Sequence, residues 1–407
     1  MDEQNENIFI EKNEEKYISA IKSKSSELEI LEFIKIIGYN QYMFIKQLSN
    51  NYYISGGKHE LNLYDPLYIL KTTIKLYDLI TSYYYIYEIN CNYSEIRIAI
   101  FCTNEYYVVT IDLNNFEKNI SKKYLSINLS LQNIFFRDEK ENKYINTGNN
   151  GLYKITNNLN SRIVEKAFMK ESSFISGIEI DNNISALASN SIIPFGEDKL
   201  ILYNEYTNVI KKEINDYSFR ISSNCLSLMK NVKEGIKYKI LLCSCKKYSK
   251  RQKNGILLVN ISKLDDSRTT NELFYETGPF EVDCFCPISI VENKNNENRK
   301  DIAKEKNIEI IKTEFFFVGG FDEDKREGMI KLFKINYNNE IDIEFIQDII
   351  TNDKNDDDNN KFEGFGRSIT SIIQSSILGN ILVTSLDGNV YLFKPPNINY
   401  FLNNNYL

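Results

Sequence analysis

The chain of 407 residues has no tryptophan and a single histidine, His59. One imidazole cannot supply a two-histidine zinc motif, and a Ser, His, acid triad would have to be built on His59 itself. That residue lies in Gly56-Gly57-Lys58-His59-Glu60, a turn in which an exposed loop histidine is expected. The missing tryptophan says less. Asn, Lys and Ile are heavily used, as in an A+T-rich coding background where Trp codons are rare. No run of about 18 or more apolar residues occurs, so no membrane span is expected. The opening Met1-Asp2-Glu3-Gln4-Asn5-Glu6 is acidic where a signal peptide is basic, and no apolar core follows it, so cytoplasm or nucleus is the expected compartment. No Gly-x-Gly-x-x-Gly or Walker pattern is present. Gly364-x-Gly366 lacks the third glycine and precedes a strand pattern, so nucleotide binding has no support and no cofactor is expected. A net charge of −7 argues against a protein that coats nucleic acid or an anionic membrane.

What is there suits a large globular core: 42% hydrophobic residues with 26% charged. The seven cysteines are an odd number scattered through apolar runs, which reads as reduced, buried thiols and not a disulfide framework. Two Cys-x-Cys pairs, Cys243-Ser244-Cys245 and Cys284-Phe285-Cys286, are the sharpest metal candidates, since strand residues two apart share a face and two pairs could make a four-thiolate zinc site. Zinc sites use Cys-x-x-Cys more often, and buried cysteine behaves as a small hydrophobe, so no metal is assigned. The acidic run Asp356 to Asp358 lacks the spaced ligands and terminal Glu of a calcium loop and reads as linker. Tyr83-Tyr84-Tyr85 reads as sheet packing.

The clearest local pattern runs from Phe362 to Pro396. Gly364-Phe365-Gly366-Arg367 precedes an alternating run, Ile369 to Gln374; Gly379-Asn380 precedes a short apolar run, Ile381 to Leu386; Asp387-Gly388 precedes a third run, Asn389 to Lys394. Asp387-Gly388 is a strong hairpin signal, both residues tolerating the positive φ of a primed turn. Glycine, strand, Gly-Asn, strand ending Thr384-Ser385, Asp-Gly, then Val390 to Phe393 resembles a WD-repeat, the four-stranded blade of a β-propeller. Tyr64-Asp65 occupies the place of that family's Trp-Asp pair.

Copies of this unit recur from Met43 onward. Taking the ends of the third runs at Tyr64, Ile111, Ile155 and Tyr203, the spacing is roughly 44 to 48 residues, the period of propeller blades. Blades are expected near 40–80, 83–128, 130–170, 173–216, 218–277, 280–350 and 362–397. Residues 1–26 read as a polar leader, 27–397 as one domain and 398–407 as a tail. Later spacings stretch where polar inserts intervene at Lys246 to Asn254, Glu292 to Lys312 and Asn352 to Lys361. The last copy has three strands and then Pro395-Pro396, which cannot continue a central ladder. The run Leu28 to Ile37 fits the missing outer strand, although its period also allows a helix, and a fold-back of Ile398 to Leu402 is the competing closure. The expected fold is all-β, a seven-bladed β-propeller of four-stranded antiparallel blades closed by an N-terminal strand; six or eight blades are the alternatives.

The family's Gly-His and Trp-Asp pairs are absent, so its inter-strand network of Asp, His, Ser or Thr and Trp cannot form. The function expected is a non-catalytic scaffold for protein partners in a multi-subunit assembly, a rigid ring presenting loops on two faces. A propeller hydrolase with carboxylates at the central channel and a phosphoinositide-binding adaptor are the alternatives. The adaptor would need paired arginines, and Arg220, Arg326 and Arg367 are separated. Partner-binding candidates are Lys246, Lys247, Tyr248, Lys250 and Arg251, the one dense basic run, with Arg326 and Arg367. For the basic run as a phosphate-binding site, a solvated hairpin tip is the simpler explanation.

Overall fold

The computed structural model describes residues 31–39, 42–57, 60–76, 85–101, 105–124, 135–137, 143–146, 152–155, 165–168, 174–181, 184–190, 197–204, 209–220, 225–233, 236–247, 253–262, 272–293, 308–337, 341–349 and 364–396. His59, Tyr83, Tyr84 and the run 356–358 lie outside them.

Among the described residues every regular element is a strand. The first blade is β2 (Tyr42–Gln47), β3 (Tyr53–Gly57), β4 (Glu60–Tyr64) and β5 (Leu70–Lys75). The second is β6 (Tyr85–Cys91), β7 (Glu95–Phe101), β8 (Glu105–Asp112) and β9 (Lys118–Tyr124). β10 (Phe135–Arg137), β11 (Lys143–Asn146), β12 (Leu152–Ile155) and β13 (Glu165–Phe168) make the third, and β14 (Phe174–Asp181), β15 (Ile184–Ser189), β16 (Lys199–Asn204) and β17 (Val209–Ile214) the fourth. The fifth holds β18 (Tyr217–Phe219), β19 (Leu226–Lys233), β20 (Ile236–Lys247), β21 (Lys253–Asn260) and β22 (Glu272–Gly278). The sixth is β23 (Phe280–Asn293), β24 (Ile308–Asp322), β25 (Glu327–Tyr337) and β26 (Ile341–Ile349). The seventh is β27 (Ile369–Gln374), β28 (Ile381–Ser385) and β29 (Asn389–Phe393), with β1 (Phe33–Tyr39) outermost. All ladders are antiparallel, and the seven sheets among the described residues are consistent with the seven-bladed propeller expected.

Closure follows from Pro395-Pro396, which cannot donate to a ladder, so the edge of β29 is taken by β1, from Phe33 opposite Phe393 to Tyr39 opposite Asn389. The Lys394 amide donates to the Glu32 carbonyl at 2.8 Å and the two side chains pair at 2.5 Å. Apolar clusters weld neighbouring blades. One joins the sixth and seventh through Phe315, Phe317, Ile369 and Ile381, and another joins the fifth and sixth through Leu242, Leu258, Phe316 and Phe333. A third, with Ile45, Tyr53, Tyr64, Leu382 and Leu392, joins the seventh to the first.

Three details depart from the sequence reading. The fifth blade is not four-stranded: β18 and β19 lie end to end along the edge of β20, so its innermost strand is interrupted after Phe219. The polar insert Glu292 to Lys312 is not all loop, because Ile308 to Lys312 continue β24 opposite Ser289 to Asn293. Three isoleucines within five residues favour the extended backbone over solvated coil. Finally, Asp387 does not adopt positive φ. The Gly388 amide bonds the Ser385 carbonyl at 3.1 Å, and Gly388 alone takes φ 100°, giving a three-residue loop with glycine at the left-handed position.

That loop also carries a substitute for the network the sequence cannot make. The Tyr391 hydroxyl donates to Asp387 Oδ2 at 2.5 Å, Asn389 Nδ2 donates to the Tyr391 oxygen at 3.1 Å, and the Asn389 amide bonds Asp387 Oδ1 at 2.9 Å. Ser385 Oγ donates to the Arg367 carbonyl at 2.9 Å, tying the turn to the segment before β27. In the first blade, Asp65 accepts the amides of Leu67 and Ile69, each at 2.9 Å, and pairs with Lys71 at 2.9 Å. The Tyr-Asp position is thus a turn cap.

Candidate interaction face

Because strands alternate in direction, each blade's second-to-third turn opens on the same face as the connection that leads into its first strand. On this upper face the fifth, sixth and seventh blades bring together most of the charged residues singled out in the sequence. Arg326 closes the β24–β25 turn, exposed and at φ 57°, its amide donating to the Asp322 carbonyl at 2.8 Å. Asp322 Oδ1 accepts the amides of Asp324 at 3.1 Å and Lys325 at 3.0 Å, so the turn is fixed from within. Arg367 is exposed on the segment that leads into β27.

The two arginine-bearing segments are locked together. The Gly328 amide donates to the Phe365 carbonyl at 3.0 Å, and a β-carbon at Gly328 would stand 2.0 Å from the Arg367 carbonyl oxygen. Only glycine permits that approach. Beside them Leu386, at the tip of the β28–β29 loop, is 42% exposed.

Beneath lies a polar chain that the sequence reading missed. Arg220, where the innermost strand of the fifth blade breaks, places Nη2 at 2.8 Å from Glu281 and 3.1 Å from Asp283 at the start of β23. Lys246 Nζ reaches Glu281 at 3.4 Å, and the Ser368 hydroxyl donates to the other oxygen of Asp283. Three blades are thereby stitched by charge-assisted bonds. Burial alone would raise the Glu281 pKa, but the Arg220 and Lys246 cations together hold it below the usual carboxylate value. Glu281 so held does not carry a proton at neutral pH and is not a raised acid of the kind glycoside chemistry uses. Glu281-x-Asp283 was the available signal, two acids on one strand face, but nothing in the sequence points to Arg220 as their partner.

Of the basic run, Lys246 is therefore committed to an ion pair, and Lys247 ends β20 opposite Lys253. Tyr248, Lys250 and Arg251 lie outside the described residues. The cysteine pairs do not converge: Cys243 and Cys245 pack with Cys225 between the fourth and fifth blades, Cys284 and Cys286 between the sixth and seventh. Burial pushes the thiols of Cys225 and Cys286 up to about 12. Among the described residues no three metal-ligating side chains cluster.

The sequence matches no protein-family model and no curated protein. Solved structures are similar in fold. The WD40 domain of Pan2 from Neurospora crassa superposes with a TM-score of 0.50 at 8% identity, over 88% of this chain and 90% of that one. Raptor from Chaetomium thermophilum gives a TM-score of 0.57 at 10% identity, over 90% of this chain and 30% of that one. At such identities the likeness is one of fold. Among the described residues no helix is long and apolar enough to cross a membrane.

Proposed function

We propose that the protein is a non-catalytic scaffold that binds protein partners through the upper face of its fifth to seventh blades. The observation that carries this reading is the pairing of exposed Arg326, Arg367 and Leu386 with a fixed base. Arginine beside an exposed apolar side chain on rigid backbone is the composition of an interface anchor. The Arg220, Glu281 and Asp283 cluster supports that surface, and Glu281, held below the usual carboxylate value, is a poor proton donor. Propeller-fold neighbours are consistent with this reading. The buried, free thiols suit a reducing compartment, and we assign the protein to the cytoplasm or nucleus on that ground.

The test is a comparison of wild type with R326E/R367E in affinity purification from native cells. The double variant, folded to the same melting temperature, is expected to lose specific co-purifying proteins. Turnover of ester or glycoside substrates that disappears in Glu281→Gln would overturn the reading in favour of an enzyme. Binding to anionic vesicles that disappears in R326E/R367E would overturn it in favour of a lipid adaptor.

A further inference from the structure

Among the described residues, the outermost strand of each blade has a backbone edge with one neighbour, and such edges invite pairing with other chains. Six of the seven are blunted by a register shift where they meet their neighbour: β1, β5, β13, β17, β22 and β26. β9 is the exception. It pairs with β8 in unbroken register from Glu105 opposite Tyr124 to Ile111 opposite Lys118. Its residues Lys118 to Lys122 are all exposed, with Ile120 at 41%. The strand reads Lys-Asn-Ile-Ser-Lys-Lys-Tyr, three cations and no acid, in a chain whose net charge is −7.

Lysines on an edge prevent two copies from pairing, since like charges would face each other across the new ladder. The same lysines favour a strand of opposite sign. Lys118 Nζ donates to the Thr73 carbonyl at 2.8 Å, and Lys122 Nζ stands 5.7 Å from the Tyr107 ring centroid. The Lys118 contact is with an uncharged carbonyl, which leaves that lysine's charge in place.

We propose that β9 is a docking edge for an extended, acidic segment of a partner protein, which joins the second blade as a fifth strand. Backbone hydrogen bonds supply the register, acidic side chains opposite Lys118 and Lys122 supply selectivity, and Ile120 offers an apolar contact between them. This site is separate from the arginine face and does not depend on it.

A synthetic ten-residue peptide alternating Glu with Val tests this, with binding followed by fluorescence anisotropy on the full chain. Three controls accompany it: the same peptide N-methylated at alternate amides, a Lys-for-Glu peptide, and the K118E/K122E protein, whose melting temperature is checked first. Binding of the acidic peptide is expected, lost on N-methylation and weakened by about ten-fold or more in K118E/K122E, which should gain affinity for the Lys peptide. Amide exchange across 118–124 should slow when the acidic peptide is bound, and R326E/R367E should bind it as wild type does. Equal binding of the N-methylated peptide would reduce the site to charge attraction and overturn the proposal. So would an absence of binding, unchanged affinity in K118E/K122E, or concentration-dependent dimers abolished by that variant.

Discussion

The side-chain amide of Gln374 exchanges two hydrogen bonds with the backbone of Ser289: the Ser289 amide donates to Oε1 at 2.7 Å, and Nε2 donates to the Ser289 carbonyl at 2.7 Å. Gln374 ends the first strand of the seventh blade, and it reads the sixth blade as a strand neighbour would. Gln47 ends the first strand of the first blade and repeats the device one step on. Its Nε2 donates to Ser376 Oγ at 2.8 Å and its Oε1 accepts the Ser376 amide at 3.0 Å. The two blades flanking the chain-end closure are thus stapled on the lower face by the same residue at the same position.

Replacing Gln374 with leucine leaves a backbone donor and acceptor of Ser289 without those partners, which should cost about 1–3 kcal/mol. Gln374→Glu keeps an acceptor but removes the donor and should fall between. Urea denaturation midpoints measure both, and an unchanged Gln374→Leu midpoint would show the staple to be energetically idle.

Glu281 sets a pH dependence. Its folded pKa lies below the ordinary value, so its contribution to stability is complete above about pH 4.3, the unfolded glutamate value, and is lost as pH falls through the lower folded value. Arg220→Met should lessen this acid sensitivity while lowering stability at neutral pH. Thermal melts from pH 3 to 7 on both proteins check the sign.

Gly328→Ala should be poorly tolerated. A β-carbon 2.0 Å from the Arg367 carbonyl forces the β24–β25 turn off the segment before β27. Overpacking of this kind costs about 1–3 kcal/mol. Faster proteolysis around Arg367, together with loss of the partners that R326E/R367E also loses, is the expected signature.

Tyr53 and Tyr68 should respond oppositely to loss of a hydroxyl. Tyr53 bonds Ser375 Oγ at 2.7 Å, whereas the buried Tyr68 hydroxyl, set beside Ser375, Tyr53 and Asn380, makes no hydrogen bond of good geometry. Tyr53→Phe should destabilise by about 1 kcal/mol, and Tyr68→Phe should be neutral or stabilising. Calorimetric melting temperatures distinguish the two.

Much of the ring was legible because blades are local: runs of three or four strands are separated by turns whose residues name themselves, as Asp387-Gly388 does. The closing strand was legible for a different reason, since Pro395-Pro396 left a position that only another run could fill. What escaped was non-local. Arg220 meets Glu281 and Asp283 at the interruption between β18 and β19; Ser222-Ser223-Asn224 mark a break in the sequence there but not which acids the arginine would meet. Hydrophobic period likewise gave no sign that Gln374, a polar residue at a strand end, would serve as a backbone mimic. Arg326 and Arg367 were visible as charges, but their docking rests on Gly328, whose role appears only when Phe365 is brought against it.

Phe33 and Phe393 face each other in one ladder although 360 positions separate them, from 33 to 393. A ribosome adding about 5–20 residues each second delivers the second roughly 20–70 s after the first. Throughout that interval the nascent chain carries β1 without β29, so any blade that folds then does so on contacts with its neighbours and without the closed ring.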